Sequence, residues 1–171
     1  YRKLIFWELE LEKTNDESMH EILTMQKNEA NVAFGKFVEQ NYISWLNGKD
    51  KNPPTQSHTL FKNKVAPLLD KEGTVFFILI DNLRFDQWKA IQPLVMENFK
   101  VEEEDAFYAI LPTATQYARN ALFAGMMPLK IQEKFPELWK NDDDEGGKNM
   151  HESEFLDDFL KRTLYETIKH K

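Results

Sequence analysis

Three polar side chains that could take part in catalysis follow two segments that the sequence predicts to be extended. Asp81 comes directly after residues 74–80, and Thr113 and Thr115 come just after residues 101–111. In open α/β sheets ligands bind beyond the carboxyl ends of the strands, where Asp81 could hold a ligand or a metal ion. A Thr hydroxyl at the start of a helix suits contact with a phosphate oxygen, because backbone N–H groups and the positive end of the helix dipole lie there. The alternative in both places is ordinary helix capping, by Asp81, its neighbour Asn82 or the threonines.

The two extended segments predict strands, and the residues between and after them predict helices. Residues 74–80 lack alternation and are rich in β-branched and aromatic side chains, which is typical of a strand buried on both faces. A helix is predicted over 84–98, a second extended segment over 101–111 and another helix over 115–125. This order predicts the first part of a doubly wound α/β domain, in which Asp81 and the two threonines lie close together.

Residues 1–71 predict a helical bundle. Apolar residues recur at helical spacing from about residue 15 to Asn47, where Asn47-Gly48 supplies a stop, and this predicts one long helix bent near Gly35. A helix is also predicted over 2–12. After a polar loop with a Pro pair, Ser57 can cap a further helix that runs to about Lys71.

The remaining third of the chain predicts short helices, a polar loop and a closing helix. The short helices are expected around 131–134, and an amphipathic helix over 152–169 is expected to bury Phe155, Phe159 and Leu164, among others. The acidic run 142–145 lies in the polar loop between them. Its spacing does not match the alternating ligands of a calcium loop, so we interpret it as a solvated turn.

Composition excludes several classes of protein. The formal charge of −7 argues against nonspecific binding to duplex nucleic acid, which needs clustered Lys and Arg. The sequence has no cysteine, so disulfides and thiolate metal sites are excluded. No apolar run approaches the roughly 18 residues of a membrane-spanning helix, and no signal-peptide pattern is visible. We therefore expect a cytoplasmic protein without a membrane partner.

Two motifs carry a resemblance to a known family. The stretch LIDNLRFDQW, followed by ILPTATQYARNALFAGMMP, resembles the opening of a PglZ domain, a branch of the alkaline phosphatase superfamily. The longer stretches VEEEDAFYAILPTATQYARN and NDDDEGGKNMHESEF resemble the PorX-type response regulators of type IX secretion. The resemblance implies that residues 1–71 are the helical connector after a receiver domain and that 72–171 are the first part of a PglZ domain.

The resemblance also implies a zinc-dependent phosphodiesterase acting on nucleotide-type diesters. By position, Asp81 matches a metal ligand. Thr115 matches the nucleophile, which also contacts the metal, and Thr113 is the second choice. Paired zinc ions would lower the pKa of the hydroxyl and clamp the phosphoryl group. Arg84 and Arg119 could contact phosphate, with salt bridging at a helix start as the alternative for each.

The chain departs from this family pattern in its metal ligands. A two-metal site needs roughly six protein ligands, typically Asp and His, and the four histidines are His20, His58, His151 and His170. We expect exposed polar roles for His20 and His58. The site is therefore expected to be incomplete, and the chain alone is expected to be inactive.

The resemblance further implies partners for the parent protein. These are a sensor kinase acting through a receiver domain that this sequence lacks, a nucleotide or oligonucleotide diester, and a sigma factor or secretion component. Self-association is also expected. The chain is thus expected to be a middle fragment of a longer protein. The alternative is a non-enzymatic dimerisation or signal-relay module that binds a protein partner.

Overall fold

The computed structural model describes residues 1–14, 16–69 and 73–169, and for 164–169 it describes the backbone alone. The end of the helix predicted to reach Lys71, the side chain of Leu164 and His170 therefore lie outside the described residues. The chain divides into two compact units, each built from two separate segments. Unit 1 consists of residues 1–53 and 78–104, and unit 2 of residues 54–77 and 105–171.

The described residues form helices α1 to α8 and one π-helical turn. Their bounds are α1 Arg2–Leu11, α2 Glu17–Leu46, α3 Ser57–Leu60, the π-helical turn Phe61–Val65, α4 Ala66–Leu69, α5 Phe85–Met96, α6 Thr115–Ala124, α7 Pro128–Lys134 and α8 Glu152–Lys169. Each predicted helix is present within a few residues of its predicted bounds, but the predicted cap at Ser57 is wrong, because Ser57 is the first residue of α3 and Gln56 is its N-cap. None of the helices in the described ranges combines the length and the apolar character needed to cross a bilayer.

Unit 1 is built on the long helix α2. Asp16 caps it by accepting a hydrogen bond of 3.1 Å from the backbone N–H of Met19, and the helix ends at Asn47 with Gly48 at a φ of +63°. Helix α1 packs against α2, with a salt bridge of 2.6 Å from Lys27 to Glu8. Near the other end of α2, Trp45 is buried, and its ring centroid lies 5.7 Å from that of Phe37.

Unit 2 is organised around α6, which contacts α3, α7 and α8. One buried cluster joins α6 to the π-helical turn and to α8, and it consists of Phe61, Val65, Leu122 and Phe159. A second cluster joins α6, α7 and α8 through Ala124, Ile131, Trp139 and Phe155. The predicted burial of Phe155 and Phe159 is confirmed, and α6 is held on both sides by side chains distant in sequence.

The predicted strands are not found among the described residues. Residues 74–80 carry no strand and their side chains are largely exposed, with Phe76 at 82 % exposure. The segment 101–111 takes part in one isolated parallel bridge, between Gln56 and Tyr108. The expectation of a strand buried on both faces is therefore wrong in this structure. The physical reason is that such a strand needs neighbouring strands, and the described residues supply none to 74–80. Within this described segment only Phe77 packs on the core, against Phe61 and Phe123.

Candidate functional site

Asp81 lies in unit 1, in an exposed turn before α5. Its neighbour Asn82 has a φ of +57°, a left-handed conformation that Asn tolerates better than most residues. The N-cap of α5 is Arg84, and its backbone N–H donates a hydrogen bond of 3.0 Å to Oε1 of Gln87. The alternative that Asp81 or Asn82 caps the helix is therefore wrong, and Asp81 is not committed to that structural role.

Arg84 forms a salt bridge at the start of α5. Its Nε and Nη2 donate hydrogen bonds of 3.0 and 2.8 Å to the two carboxylate oxygens of Asp86. The hydrogen bonds from Arg84 hold the pKa of Asp86 below its usual value. Arg84 thus takes the salt-bridging role at a helix start, and its contact with phosphate stays a prediction.

Thr113 and Thr115 lie in unit 2, at the start of α6. Thr115 is the first residue of the helix, the N-cap is Ala114, and no side chain caps the helix there. Both threonines are exposed, and they follow a cis peptide bond between Leu111 and Pro112. The capping alternative is therefore wrong for both hydroxyls. The hydroxyl of Thr115 is available at a helix end that attracts anions.

A short pairing of two segments fixes the chain just before these threonines. Tyr108 donates its N–H to the carbonyl of Thr55 at 2.9 Å, and the N–H of Ser57 donates to the carbonyl of Tyr108 at 3.1 Å. The N–H of Ile110 donates to Oγ of Ser57 at 3.2 Å, and both residues are almost fully buried. This pairing anchors the chain close before Thr113 and Thr115.

The loop 141–149 is bound to the first turns of α6. Asp142 accepts hydrogen bonds from the hydroxyl of Tyr117, at 3.0 Å, and from the amide of Gln116. The hydrogen bond to Asp142, aided by desolvation, raises the pKa of Tyr117. The predicted turn is present, but Asp142 is not merely solvated, because it ties the loop to the helix.

Two asparagines complete this attachment. Asn120 is 3 % exposed, and its Nδ2 donates to the carbonyl of Lys148 at 3.0 Å. Asn149 donates its Nδ2 to Oδ1 of Asn120 at 3.1 Å and to the carbonyl of Thr115 at 3.3 Å. Our reading of the sequence missed these residues. Asn120 itself could have indicated the attachment, because asparagine is a poor helix former and lies here in the interior of an otherwise favourable helix.

Arg119 binds the start of α8. Its Nη2 lies 2.5 Å from a carboxylate oxygen of Glu152, and both side chains are partly buried. The salt-bridging alternative therefore describes Arg119 in this structure. Contact with phosphate stays a prediction here too.

The described residues do not form a zinc site around these positions. Across residues 1–14, 16–69 and 73–169, no group of three or more His, Asp and Glu side chains is arranged to hold a metal ion. His20 contacts the carbonyl of Asp16 at 2.8 Å, and His151 lies 2.9 Å from Glu154. His58 is partly buried, which lowers its pKa, so the expectation of an exposed His58 is wrong. The described residues therefore do not form a site for paired zinc ions by themselves, and zinc binding stays a prediction.

The structure brings some of the predicted site residues together and leaves others in separate units. Thr113, Thr115 and Arg119 share the start of α6 in unit 2. Asp81 and Arg84 lie in unit 1. The predicted proximity of Asp81 to the threonines therefore stays a prediction.

Comparison with known protein families gives two matches. Residues 1–46 match the PorX response regulator linker domain, and residues 60–170 match the BREX system PglZ alkaline phosphatase-like domain. A comparison with curated proteins found no match. The order of the two matches is consistent with a PorX-type protein. Because the second match spans well over half of the sequence and includes both α6 and the turn at Asp81, this chain belongs to the PglZ family of alkaline phosphatase-like domains.

Proposed function

We propose that this chain forms part of a response regulator whose PglZ domain hydrolyses nucleotide-type phosphodiesters and regulates type IX secretion. The succession of a PorX linker match and a PglZ match supports the regulator. In this proposal a receiver domain, phosphorylated by a sensor kinase in the cytoplasm, controls the PglZ domain. The complete PglZ domain has the doubly wound α/β fold, and Asp81 is one of its metal ligands.

The position of Thr115 is the observation that carries the enzymatic proposal. Its hydroxyl is exposed at the first residue of α6, inside the PglZ match, and it makes no cap. In the proposed reaction Thr115 gives up its hydroxyl proton to solvent as Oγ attacks the phosphorus, and the bond to the leaving group breaks as that oxygen takes up a proton and departs as the alcohol. Water then cleaves the resulting phosphothreonine diester, which releases the phosphate monoester and restores the Thr115 hydroxyl. The N–H groups of the first turn face the negative charge that develops on the phosphoryl oxygens.

A hydroxyl nucleophile needs activation, because its pKa lies far above neutral pH. In the proposal two zinc ions supply that activation when bound. The described residues do not assemble their ligands. The contribution of this chain is therefore to orient Thr115, through the pairing of Ser57 with Ile110 and through the loop 141–149.

The test is hydrolysis of thymidine 5′-monophosphate p-nitrophenyl ester with added zinc, by this chain and by the full-length regulator. We expect no turnover by this chain, and turnover by the regulator that Thr115→Val abolishes. Thr113→Val is the matched control, since it removes the same hydroxyl two residues earlier. Activity that survives Thr115→Val and is lost in Thr113→Val would move the nucleophile to Thr113. A regulator without zinc-dependent turnover would refute the enzymatic proposal.

A second candidate function is signal relay by binding a protein partner, and one feature of unit 1 favours it. Helices α1 and α2 form an open apolar groove of about 360 Å³ lined by Trp7, Leu11, Met19, Ile22 and Leu23, among others. Contiguous exposed apolar surface of this kind marks interaction sites. Met25, which lies on α2, is 66 % exposed.

Sedimentation at several concentrations distinguishes the two functions. A relay module is expected to associate in a way that Asp81→Ala leaves unchanged and Met25→Ser weakens. Zinc binding that Asp81→Ala removes would favour the enzyme instead.

A further inference from the structure

Unit 1 contains a second, chemically different cleft, between the start of α1 and the start of α5. Its volume is about 210 Å³. Three cationic and three aromatic side chains line it, namely Arg2, Lys3, Lys89, Phe6, Trp7 and Phe85. All of these residues belong to one compact unit, so the cleft is formed within that unit.

The aromatic rings of α1 offer a surface for a planar ligand. Phe6 is 55 % exposed and Trp7 is 53 % exposed, so both rings are accessible to a ligand in the cleft. Flat aromatic groups stack on such rings in offset or edge-to-face arrangements, and every nucleic acid base has a π face that can do so. The ring of Phe85 already forms a cation–π contact, because Nζ of Lys89 lies 5.2 Å from its centroid.

The charges around the cleft favour an anion. Lys89 is neutralised by Glu104, whose carboxylate lies 2.6 Å from its Nζ and also accepts a hydrogen bond of 3.1 Å from the indole of Trp88. Glu104 is the only carboxylate among the residues that line the cleft. Arg2 and Lys3 therefore leave the lining net positive, although the chain as a whole carries −7. A positive lining on an acidic protein concentrates anions at that place.

We propose that this cleft binds a planar aromatic anion, with the ring stacked on Phe6 and Trp7 and the anionic group held by Arg2 and Lys3. A nucleoside monophosphate is the simplest biological ligand with both parts. The cleft is smaller than the roughly 300–1,000 Å³ typical of sites for drug-sized ligands. It therefore accommodates the ring and leaves the phosphate at the cationic rim. This site is separate from the reaction proposed at Thr115, which lies in the other unit.

Titration calorimetry of the whole chain at low salt, with adenosine 5′-monophosphate as the probe, is the first test. We expect one site per chain and an affinity that falls as salt is added. Adenosine lacks the phosphate and ribose 5-phosphate lacks the ring, and each is expected to bind about tenfold or more weakly. No binding at millimolar adenosine monophosphate would overturn the proposal. Equal affinity for ribose 5-phosphate would do so as well, since the ring would then contribute nothing.

Variants locate the site. Lys3→Gln and Trp7→Leu are each expected to weaken binding of adenosine monophosphate by about tenfold. Lys36→Gln removes a lysine charge from α2, outside the cleft. This variant is expected to bind adenosine monophosphate with the affinity of the unaltered chain. Phe6→Leu provides a second ring variant in case Trp7→Leu loses helix content by circular dichroism. Unchanged affinity in both Lys3→Gln and Phe6→Leu would place the ligand elsewhere and overturn the proposal.

Discussion

At the scale of single residues, Gly125 occupies a position that only glycine fits. It ends α6 at a φ of +62°, in the left-handed region that favours glycine. A Cβ atom added there would also collide with the ring of Phe159, which belongs to the buried cluster with Phe61 and Leu122. The end of α6 is therefore defined by backbone conformation and by core packing at once.

We expect Gly125→Ala to lower the free energy of unfolding by about 2 to 4 kcal/mol, the sum of left-handed strain and overpacking. Gly35→Ala is the matched control. Gly35 lies within α2, and no described atom would come within 4 Å of its added Cβ. That change should instead stabilise the protein by about 0.5 to 1 kcal/mol, because alanine favours the helix. Urea unfolding measures both, and equal effects of the two changes would contradict this account.

Glu154 provides a prediction of pH dependence. Hydrogen bonds from His151, at 2.9 Å, and from Ser153, at 2.7 Å, lower its pKa from 4.5 to about 2. Because the folded pKa is depressed, the stability that this carboxylate contributes is present above pH 4.5 and is lost as the pH falls from 4.5 through 2. NMR titration of the Glu154 carboxyl carbon should show the low pKa, and His151→Ala should raise it towards 4.5. A pKa near 4.5 in the unaltered chain would refute the assignment.

At the scale of elements, the loop 141–149 determines how firmly the start of α6 is held. Asn149 links the carbonyl of Thr115 to Asn120, and Asp142 accepts a hydrogen bond from Tyr117 in the same first turn. The backbone N–H groups in the first turn of a helix have no acceptor within that helix, so the first turn opens more easily than the interior. Contacts from the loop oppose that opening.

Removing the loop contacts should therefore loosen the first turn of α6. We expect Asn149→Ala to speed amide exchange at Tyr117 and Ala118, whose N–H groups bond the carbonyl of Ala114 at 3.0 Å. The expected increase is up to about tenfold, the equivalent of one net hydrogen bond. Asn63→Ala removes a contact with Thr55 elsewhere in unit 2 and should leave these two amides unchanged. Identical exchange in both variants would mean that the loop does not hold the helix.

The elements also explain what sequence patterns could and could not predict. The helices were predictable because an α-helix forms its backbone hydrogen bonds within one segment, and its buried face requires an apolar residue every three or four positions. The π-helical turn at Phe61–Val65 was not predicted, since the same apolar pattern fits a regular helix. Residues 74–80 have strand-like composition, yet a strand depends on partners that no local pattern specifies.

The candidate site was predictable in part for the same reason. Thr115 was placed correctly at a helix start because the helix signal after Pro112 is local. The attachment of Asn149 to Thr115, and the salt bridge of Arg119 with Glu152, join residues more than thirty positions apart. Such contacts depend on tertiary packing, which the pattern of a single sequence does not reveal.

At the scale of the whole molecule, the core crosses the domain boundary predicted after residue 71. Phe61 and Val65 lie before that boundary and pack with Leu122 and Phe159, which lie after it. The aromatic rings of Phe61 and Phe159 have centroids 5.6 Å apart. Each of the two compact units is also built from two segments, and segments of unit 1 and unit 2 alternate along the chain. The boundary at 71 and 72 stays a prediction, and the core provides its test.

We expect a polypeptide of residues 72–171 to lack a cooperative unfolding transition, because it loses Phe61 and Val65 from the buried cluster that they form with Leu122 and Phe159. In the full chain Phe61→Ala should cost about 3 to 5 kcal/mol, as large-to-small changes in a core do. Differential scanning calorimetry measures both. A sharp transition in the shorter polypeptide would support an independent domain that begins at 72.

The distance along the chain between Phe61 and Phe159 has a consequence for biosynthesis. The hairpin of α1 and α2 can form soon after it leaves the ribosome, since its contacts are close in sequence. Phe61 and Val65 emerge much earlier than their partner on α8, so during translation the cluster around them stays incomplete until Phe159 has been synthesised. Slower elongation between α4 and α8 would lengthen that exposure and increase the demand for chaperones that bind nascent apolar segments.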